Sequence, residues 1–355
     1  MPLLIKPHEG YTLEYVFAPL RLTLFQPLLT GATLFVLTKK QSCLAKVMSP
    51  SAIARITTNA IVKTVGVLFA IGLLRVFNHT MTRRAVNNKL KDEWKYGEEI
   101  IVITGGSGGI GESIALKMAP YSKAVIVLDL MPSGNKLPDN IYFYQCDITD
   151  PLMVINVANK IRQNHGDPTV LINNAGTSSS QYILDMDEEL YRRTFDVNII
   201  SHFTLTKQFL PAMIEANHGH VVTLASVASF LCSARMIDYA CTKAATLAFH
   251  EGLSCELRQI YNAPKVRTTV VHPYWARTKI AAAVINGPNF KDFVLEPATI
   301  SDSIAQQLLK AESAQLILPG RFTFLALLRG LPTWLARAIV PAPPIRAGPK
   351  SGLKS

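Results

Sequence analysis

From residue 99 onward, short apolar runs alternate along the chain with longer amphipathic stretches. The short runs are rich in β-branched residues and predict strands, whereas the longer stretches predict helices. The predicted strands cover residues 100–104, 123–129, 141–146, 168–173, 219–225, 266–272 and 315–318. The predicted helices cover residues 109–119, 151–164, 187–216, 237–259 and 299–312. Because the strands are apolar almost throughout, this alternation predicts an α/β fold with a doubly wound parallel sheet, covered by helices on both faces.

Residues 1–95 follow a different pattern, with two long apolar runs. The first run, Leu22–Thr38, holds 17 residues without a charge, near the short end of the roughly 17–25 residues that span a bilayer, and Pro27 weakens it as a span. The second run, Thr64–Leu74, would rise only about 16 Å as a helix, which is too short to span alone. We therefore predict an N-terminal hydrophobic membrane-anchoring region in which the first run forms one span, or a monotopic insertion, and the second lies in the interface. Two buried helices of a soluble protein are the alternative.

Basic residues follow both apolar runs. After the first run come Lys39, Lys40, Lys46 and Arg55, and after the second come Arg83, Arg84, Lys89, Lys91 and Lys95. The positive-inside rule places both basic flanks in the cytosol, an arrangement that two full spans cannot satisfy. We therefore expect the domain beyond residue 95 to face the cytosol.

Composition favours the membrane interpretation further. Hydrophobic residues make up 49% of the 355 residues and charged residues 17%, against about 25% charged residues in an ordinary soluble domain. The net charge of +11 suits either nucleic acid or an anionic membrane surface. The sequence has no zinc-finger spacing and no long run of lysine and arginine. We therefore expect membrane lipid as a partner and no nucleic acid.

The cysteines point away from disulfide and metal chemistry. They are Cys43, Cys146, Cys232, Cys241 and Cys255. Their number is odd, their spacing is scattered and no C-x-x-C pair occurs, so neither a disulfide framework nor a metal site is predicted. We expect buried free thiols in a reducing compartment.

A glycine-rich turn directly follows the first predicted strand. Residues 104–111 read Thr-Gly-Gly-Ser-Gly-Gly-Ile-Gly and lead into a predicted helix. Such a turn lets backbone amides approach a pyrophosphate at the helix N-terminus. Its candidate cofactor-binding residues are Gly105, Ser107, Gly109, Ile110 and Gly111. The strand before the turn and the helix after it make a dinucleotide site the favoured interpretation.

Asp129 ends the second predicted strand, 18 residues beyond Gly111. A carboxylate at this point accepts hydrogen bonds from ribose hydroxyls and repels a 2′-phosphate. No arginine or lysine stands in the glycine turn or just after Asp129 to reverse that preference. We therefore expect NAD(H) to be the preferred cofactor, with NADP(H) as the alternative.

A second group of polar residues lies in the later part of the chain. Tyr239 and Lys243 stand at positions i and i+4, on one face of a predicted helix. Ser226 precedes Tyr239 by 13 residues and follows a predicted strand. Further upstream, residues 173–176 read Asn-Asn-Ala-Gly after another strand, and Asn198 follows them. A tyrosine–lysine pair alone occurs on many helices, so the order of all these residues carries the signal.

Taken in order, these motifs resemble the short-chain dehydrogenase/reductase family, whose pattern is T-G-x-x-x-G-x-G, N-N-A-G, an asparagine, a serine and Y-x-x-x-K. The resemblance covers about residues 97–320, and every motif is present. It implies a Rossmann-type fold and an NAD(P)-dependent oxidoreductase that acts on CH–OH groups. The broader sequence is similar to the microsomal retinal and 17-beta-hydroxysteroid dehydrogenase branch, which also carries an N-terminal hydrophobic anchor. That similarity implies association with the endoplasmic reticulum or with lipid droplets.

The resemblance also implies a role for each matching residue. Tyr239 would be the general acid/base, Lys243 would favour its phenolate and hold the nicotinamide ribose, and Ser226 would hydrogen-bond the substrate oxygen. Asn198 would hold a water that links Lys243 to solvent. The remaining implied cofactor contacts are Asp147 and Ile148 at the adenine, Asn174, Ala175 and Gly176 along the cofactor, and Ala276 and Thr278 at the nicotinamide carboxamide.

One position departs from the family pattern. Where the family usually has Pro-Gly after the sixth strand, this chain has Pro273-Tyr274. The tyrosine side chain either narrows the space near the nicotinamide or points into the substrate pocket, and the sequence leaves both open.

The regions around the expected substrate site are apolar. Residues 279–298, which lie over the substrate in this fold, carry no array of charges suited to a sugar or an acid. Beyond the catalytic region 96–320, residues 321–355 combine an apolar stretch with a basic tail. That stretch is either a helix packed on the core or an interfacial helix beside a pocket that draws substrate from lipid. We expect a hydrophobic alcohol or carbonyl substrate, such as a retinoid, a steroid, a fatty alcohol or a lipophilic secondary metabolite.

Two other classes of protein share the expected fold. A catalytically silent member could serve as a membrane or lipid-droplet scaffold, although the presence of all four catalytic positions argues against it. A nucleotide-sensing protein would need the cofactor site but could dispense with Ser226 and Tyr239. The resemblance to the family also implies that the helices 187–216 and 237–259 could pair two chains in a homodimer.

Overall fold

The computed structural model describes residues 8–9, 19, 22–39, 59–288 and 290–339. Sequence predictions that concern Cys43, the flanking residues Lys40, Lys46 and Arg55, and the basic tail 341–355 fall outside the described residues. The chain divides into two compact units, residues 1–86 and 87–355, and each is described by itself.

The N-terminal unit contains two helices, α1 (Pro27–Lys39) and α2 (Asn59–Val86). Within the described residues, α2 alone is long and apolar enough to cross a membrane, with a mean hydropathy of 2.0 over the most apolar part of Ala60–Val86. Its 28 residues rise about 42 Å. The prediction that the second run is too short to span a membrane alone was therefore wrong, and the first run forms a helix of only 13 residues. The helix of the first run is short because α1 begins only at Pro27. The helix of the second run is long because Arg75 ends the apolar run without ending α2, since arginine is a good helix former.

Seven strands form one parallel sheet in the second unit, in the order β3-β2-β1-β4-β5-β6-β7. They are β1 (Ile100–Thr104), β2 (Ala124–Asp129), β3 (Ile141–Gln145), β4 (Val170–Asn173), β5 (His220–Leu224), β6 (Arg267–Pro273) and β7 (Ala314–Leu318). The order reverses between β1 and β4, and this switch opens a crevice at the carboxyl ends of the strands. The predicted α/β fold with a doubly wound parallel sheet is confirmed, and each predicted strand is found within two residues of its expected ends.

Helices cover both faces of the sheet. They are α3 (Gly109–Met118), α4 (Pro151–His165), α5 (Glu188–Phe195), α6 (Ser201–Ala216), α7 (Ile237–Gln259), α8 (Lys279–Ile285), α9 (Pro297–Leu309) and α10 (Thr333–Ile339). Alternate residues of β1 point to opposite faces. Ile101 and Ile103 join the core that contains α3 and α9, whereas Ile100 and Val102 join the core that contains α4, α6 and α7. The central strand is thus buried on both sides.

The helix predicted over 187–216 is divided in the structure. α5 ends at Phe195, a π-helical turn covers Asp196–Ile200, and α6 begins at Ser201. A π-helical turn inserts one extra residue per hydrogen-bonded ring and commonly marks a functional site. Asn198 lies in this turn and is fully buried. Apolar spacing alone does not reveal the extra residue, because the helices on either side keep the helical period.

The C-terminal apolar stretch is also divided. A 3₁₀ helix covers Gly320–Gly330, and α10 begins at Thr333 after the break at Pro332. Leu325 and Leu328 pack with Val227 and Phe230, beside the carboxyl end of β5. This part of the stretch therefore packs on the core.

Among the described cysteines, only Cys146 is buried, and none is in a disulfide. Cys232, Cys241 and Cys255 are exposed free thiols. The expectation that the thiols are buried was therefore wrong for these three. Cys241 and Cys255 lie on the outer face of α7, where helical geometry and not residue type decides exposure.

A cluster of three ionisable side chains connects the first residues of the second unit to the sheet. His218 contacts Asp92 with Nδ1 at 2.8 Å and Glu99 with Nε2 at 3.0 Å, so both ring nitrogens face carboxylates. The hydrogen bonds to Asp92 and Glu99 raise the pKa of His218 to about 9. Burial opposes ionisation of Glu99, but hydrogen bonds from His218 and Thr169 outweigh it and lower the pKa of that carboxyl.

This cluster predicts a pH-dependent stability. Because the pKa of folded His218 is raised from 6.5 to about 9, its contribution is complete below pH 6.5 and disappears as the pH rises through 9. Replacing His218 by Gln should therefore lower the free energy of unfolding by roughly 2 kcal/mol at pH 6 and by much less at pH 10. Urea unfolding of the full chain in detergent, followed by tryptophan fluorescence, measures both values. An equal loss at both pH values would contradict the assignment.

Candidate active site

A cavity of about 620 Å³ opens at the carboxyl ends of the central strands. The predicted site residues that line it are Gly105, Ser107, Gly109, Ile110, Asp129, Asp147, Ile148, Asn174, Ala175, Gly176, Ser226, Tyr239, Lys243, Ala276 and Thr278. The two remaining predicted residues, Gly111 and Asn198, lie next to lining residues without lining the cavity themselves. The fold thus brings together residues that are up to 173 positions apart in the chain, from Gly105 to Thr278.

The glycine turn between β1 and α3 is tightly packed against the loop after β4. Gly105 has a φ of +64°, and a Cβ there would lie 2.9 Å from Ala175 Cα. A Cβ at Gly111 would lie 2.3 Å from the Gly105 carbonyl oxygen. The Asn174 side-chain amide donates to the carbonyl oxygens of Thr104 and Gly105, at 2.9 and 3.0 Å. The turn therefore needs glycine at two positions, and Asn174 holds its shape.

The residues of this end of the cavity fit a dinucleotide. Ser107 and Ser178 line the cavity, and their buried hydroxyl oxygens have no hydrogen-bond partner among the residues that the structure describes. Asp129 accepts hydrogen bonds from the Ser107 and Leu130 amides, at 3.0 and 2.8 Å, which fixes its carboxylate at the cavity wall. A buried hydroxyl without a partner is costly, so these groups are suited to a polar ligand. The N-terminus of α3 at Gly109 adds a favourable position for a phosphate.

Asp147 and Ile148 lie farther along the same cavity, after β3. The Thr149 hydroxyl and amide donate to Asp147 Oδ1 at 2.7 and 2.9 Å. The hydrogen bond from the Thr149 side chain lowers the pKa of the Asp147 carboxyl. Asp147 is thus a fixed anionic acceptor at the end of the cavity opposite to Ser226.

Ser226, Tyr239 and Lys243 meet at the carboxyl end of β5. Ser226 follows this strand and accepts a hydrogen bond from the Ala228 amide on its hydroxyl, at 3.1 Å. Tyr239 and Lys243 lie one turn apart on α7, with Lys243 Nζ 5.4 Å from the Tyr239 ring centroid. Lys243 Nζ also donates to the Leu224 carbonyl oxygen at 2.6 Å. The three side chains therefore form one connected group whose positions are set by two elements.

Burial acts on the ionisation of both members of the helix pair. It raises the pKa of the Tyr239 hydroxyl, and a hydrogen bond with Ser226 opposes that rise. It also lowers the pKa of Lys243 to about 8. Both shifts favour the neutral forms, so the pKa of the Tyr239 hydroxyl lies above that of Lys243, the reverse of their order in water.

Asn198 uses its side chain to join two parts of the site. Its Oδ1 accepts from the Thr177 amide at 2.8 Å, and its Nδ2 donates to the Thr177 carbonyl at 2.9 Å and to the Thr242 hydroxyl at 3.0 Å. Thr177 follows the Asn-Asn-Ala-Gly segment, and Thr242 lies on α7 beside Lys243. The side chain of Asn198 thus positions the cofactor-side loop against the helix that carries Tyr239.

Several lining residues were missed by the sequence predictions. They are Thr177, Arg193, Val227, Leu231, Met236 and Trp275, whereas Val284 and Asp292 belong to the segment 279–298 that was expected to lie over the substrate. Trp275 follows Tyr274 directly, so a large aromatic pair after the sixth strand was a usable signal. Arg193 comes from α5, and nothing in the local pattern distinguishes it from an ordinary surface arginine.

Tyr274 lines the cavity, and its ring centroid lies 4.4 Å from that of Phe322. Burial raises the pKa of its hydroxyl to about 12. Trp275 packs edge-on against Phe290, with ring centroids 5.7 Å apart. The side chain that replaces the usual glycine is therefore part of an aromatic wall formed with the C-terminal stretch.

Sequence comparison agrees with this geometry. Residues 99–288 match the family model of the short chain dehydrogenases. The chain is 43% identical over 207 residues to Dehydrogenase RED2 of Cochliobolus heterostrophus, which covers 58% of this chain and 78% of that protein. It is 30% identical over 240 residues to epidermal retinol dehydrogenase 2 of Homo sapiens, which covers 65% of this chain and 77% of that protein.

Solved structures share the fold at lower sequence identity. The ligand-free aldohexose dehydrogenase of Thermoplasma acidophilum superposes with a TM-score of 0.55 at 21% identity, and covers 63% of this chain and 94% of that one. This similarity concerns the sheet and its helices. The family match, the relatives and the fold together identify the chain as a member of the short-chain dehydrogenase family, an oxidoreductase family that works with a nicotinamide cofactor.

Proposed function

We propose that this oxidoreductase interconverts a hydrophobic alcohol and its carbonyl compound, with Tyr239 as the general acid/base. The observation that carries the proposal is the joint placement of Ser226, Tyr239 and Lys243 at the end of the cavity that is also lined by apolar side chains. One end of the cavity presents the glycine turn and Asp129, whereas the other presents Val227, Leu231 and the aromatic wall.

The nicotinamide ring supplies the hydride acceptor or donor when the cofactor is bound. Gly105, Ser107 and Gly109 would hold the pyrophosphate, and Asp147 with Ile148 would hold the adenine. Asn174, Ala175, Gly176, Ala276 and Thr278 would line the nicotinamide half. Lys243 would donate to the ribose hydroxyls next to the ring.

In the oxidation direction, Tyr239 takes the proton of the substrate hydroxyl. Its phenolate form is required for this step, and burial disfavours that form. The Lys243 cation, 5.4 Å from the ring, offsets burial because opposite charges attract strongly in a site from which water is excluded. Ser226 donates to the substrate oxygen and keeps it next to Tyr239 as charge develops. In reduction, the same proton returns from Tyr239 to the product oxygen.

We infer that NAD(H) is preferred over NADP(H). Asp129 is held at the cavity wall by two amides, and its charge would repel a 2′-phosphate. Replacing Asp129 by Ala should raise the ratio of kcat/KM for NADP to that for NAD at least about tenfold, which corresponds to a loss of 1.4 kcal/mol of discrimination. The exposed Asp139, replaced by Asn, is the matched control and should leave the ratio unchanged. An unchanged ratio in the Asp129 variant would exclude the residue as the selector.

The apolar lining supports a hydrophobic substrate class. Val227, Leu231, Met236 and Val284 face the cavity near the catalytic group, together with Trp275. A relative is named as a retinol dehydrogenase, which is consistent with that class. Retinoids, steroids, fatty alcohols and lipophilic secondary metabolites all remain candidates within it.

A homologous series of primary alcohols tests this class directly. Burying each added methylene contributes about 0.8 kcal/mol, so kcat/KM should rise about fourfold per methylene until the cavity is filled. The measurement is NADH formation by the full chain in detergent, with alcohols from ethanol to decanol. A flat series, or a preference for polyols, would overturn the apolar assignment. Cofactor binding without turnover on any substrate would instead favour a silent scaffold or a nucleotide sensor.

We further propose that the chain is attached to a membrane through α2, with the catalytic unit facing the cytosol. The apolar part of α2 is almost entirely exposed, including Val67, Leu74 and Phe77, and its length exceeds the roughly 30 Å of a hydrocarbon core. Basic residues Arg83 and Arg84 occupy its last turn, which agrees with a cytosolic C-terminal end. The endoplasmic reticulum and lipid droplets are the proposed sites.

The C-terminal stretch offers a second contact with lipid. Phe324, Leu327 and Trp334 are exposed, Trp334 by 73%. Residues 320–339 contain three arginines and no acidic residue, so this surface suits an anionic membrane. Since the buried side of the same stretch packs beside Tyr274, it would bring the substrate end of the cavity close to lipid. The exposed Ile200 and Phe203 of the α5–α6 region are suited to pairing two chains in a homodimer.

A further inference from the structure

The buried side chain of His272 links β6 to the catalytic serine. Its Nδ1 lies 3.0 Å from the carbonyl oxygen of Ser226. Its Nε2 lies 3.2 Å from the side-chain Nε2 of Gln315 on β7. The ring is fully buried and packs on Phe230, with centroids 4.6 Å apart. No role for this residue follows from the family motifs.

These contacts determine which ring nitrogen carries the proton. A carbonyl oxygen can only accept, so Nδ1 must be the donor to Ser226. The Gln315 amide nitrogen can only donate, so Nε2 must be the acceptor. Burial lowers the pKa of His272 to about 4, which keeps the ring neutral near pH 7. The residue is thus held as the neutral Nδ1–H tautomer by partners on both sides.

The hydrogen bond between His272 and Ser226 lies where the backbone pairing of β5 with β6 ends. The backbone ladder between β5 and β6 continues to the hydrogen bond from the Ala225 amide to the Val271 carbonyl, at 2.8 Å. At Ser226 the chain leaves the sheet and turns into the 3₁₀ helix Val227–Ser229. The His272 imidazole therefore supplies a link to β6 at the residue where the backbone ladder stops. The Ser226 hydroxyl itself makes only a long 3.4 Å contact to the Pro273 carbonyl on that strand.

We infer that His272 is a positioning residue that fixes the Ser226 peptide, and with it the direction of the Ser226 hydroxyl toward Tyr239 and the substrate oxygen. Gln315 supports it by holding the tautomer that can donate. This inference rests on the proposed function, since it assigns Ser226 a place at the reacting oxygen. A displacement of about 1 Å of such a group can cost on the order of 100-fold in rate.

Two amide substitutions separate positioning from packing. In His272→Asn the side-chain amide nitrogen stands where Nδ1 stood and can still donate to Ser226. In His272→Gln the amide reaches the place of Nε2 and cannot turn back to Ser226. We expect kcat of the Gln variant to fall about 10- to 100-fold with an unchanged KM for the cofactor, and kcat of the Asn variant to stay within about threefold of wild type. Asn fills less of the site than Gln, so a role in packing alone predicts the opposite order.

An activity-independent measurement completes the test. Nitrogen-15 NMR of histidine-labelled full chain in detergent, with the His272→Asn variant to identify the signal, reports the tautomer directly. We expect the neutral Nδ1–H form at both pH 6 and pH 8. An Nε2–H tautomer, a signal that titrates in this range, or equal kcat in the Gln variant and wild type would each overturn the inference. If wild type turns over no alcohol of the series, the proposed function fails, and the NMR result still decides the His272 assignment.

Discussion

Replacing Tyr239 by Phe is expected to lower kcat by about 10²–10⁴-fold while the cofactor still binds. The phenolic hydroxyl is the group that accepts the substrate proton, and the ring that remains keeps the packing on α7. Ser226 can orient the substrate oxygen but cannot replace the base, because its hydroxyl is far less acidic than a phenol. Steady-state kinetics on the best alcohol of the series, with a parallel fluorescence titration of NADH binding, measure both effects.

Tyr96→Phe is the matched control for this variant. Tyr96 is 66% exposed and lies outside the cavity lining, so loss of its hydroxyl should leave kcat within twofold of wild type. Full activity in the Tyr239 variant would contradict the assignment of the general acid/base. Loss of cofactor binding in that variant would show instead that the hydroxyl has a structural part in the cofactor site.

Replacing Gly111 by Ala should abolish cofactor binding, or weaken it at least about 100-fold, a loss of roughly 3 kcal/mol. The added Cβ would stand 2.3 Å from the Gly105 carbonyl oxygen and 2.6 Å from Asn174 Nδ2. Neither neighbour can yield without opening the turn, because Asn174 is bonded to the same carbonyl oxygen at 3.0 Å. Helix propensity alone would favour alanine at this position by about 1 kcal/mol. We expect the steric overlap to outweigh that gain, so that the substitution is unfavourable.

Gly252→Ala controls for the general effect of a glycine-to-alanine change. Gly252 lies within α7, and a Cβ there meets no atom within 4 Å. This variant should bind NADH like wild type and be equally or slightly more stable. Wild-type NADH affinity in the Gly111 variant would contradict the close packing of the turn. Thermal unfolding of both variants tests the same packing independently of cofactor binding.

The sheet and the motif residues were predictable because they depend on local signals. Each strand of a buried parallel sheet is a short apolar run, so its ends can be read within two residues. The glycine turn, Ser226 and the Tyr239–Lys243 pair all directly follow or flank such elements. Parallel strands place their carboxyl ends at one edge, and the turns that follow them must meet there.

What could not be predicted depends on tertiary contacts. The length of α2 was missed because Arg75 ends an apolar run without ending a helix. The π-helical turn that carries Asn198 leaves no trace in the apolar spacing. Tyr274 joined an aromatic wall only because the distant Phe322 packs on it. His272 and Gln315 are 43 positions apart, and only the pairing of β6 with β7 brings them together.

Transfer of deuterium from substrate to cofactor tests the central claim most directly. A lipophilic alcohol deuterated on its carbinol carbon is incubated with NAD and the purified full chain in detergent, and the reduced cofactor is analysed by mass spectrometry. We expect one deuterium in the NADH formed by wild type, and deuterium transfer at least about 100-fold slower with the Tyr239→Phe variant. NAD that binds the wild-type chain but gains no deuterium from a retinoid, a steroid or a fatty alcohol would contradict the proposed hydride transfer.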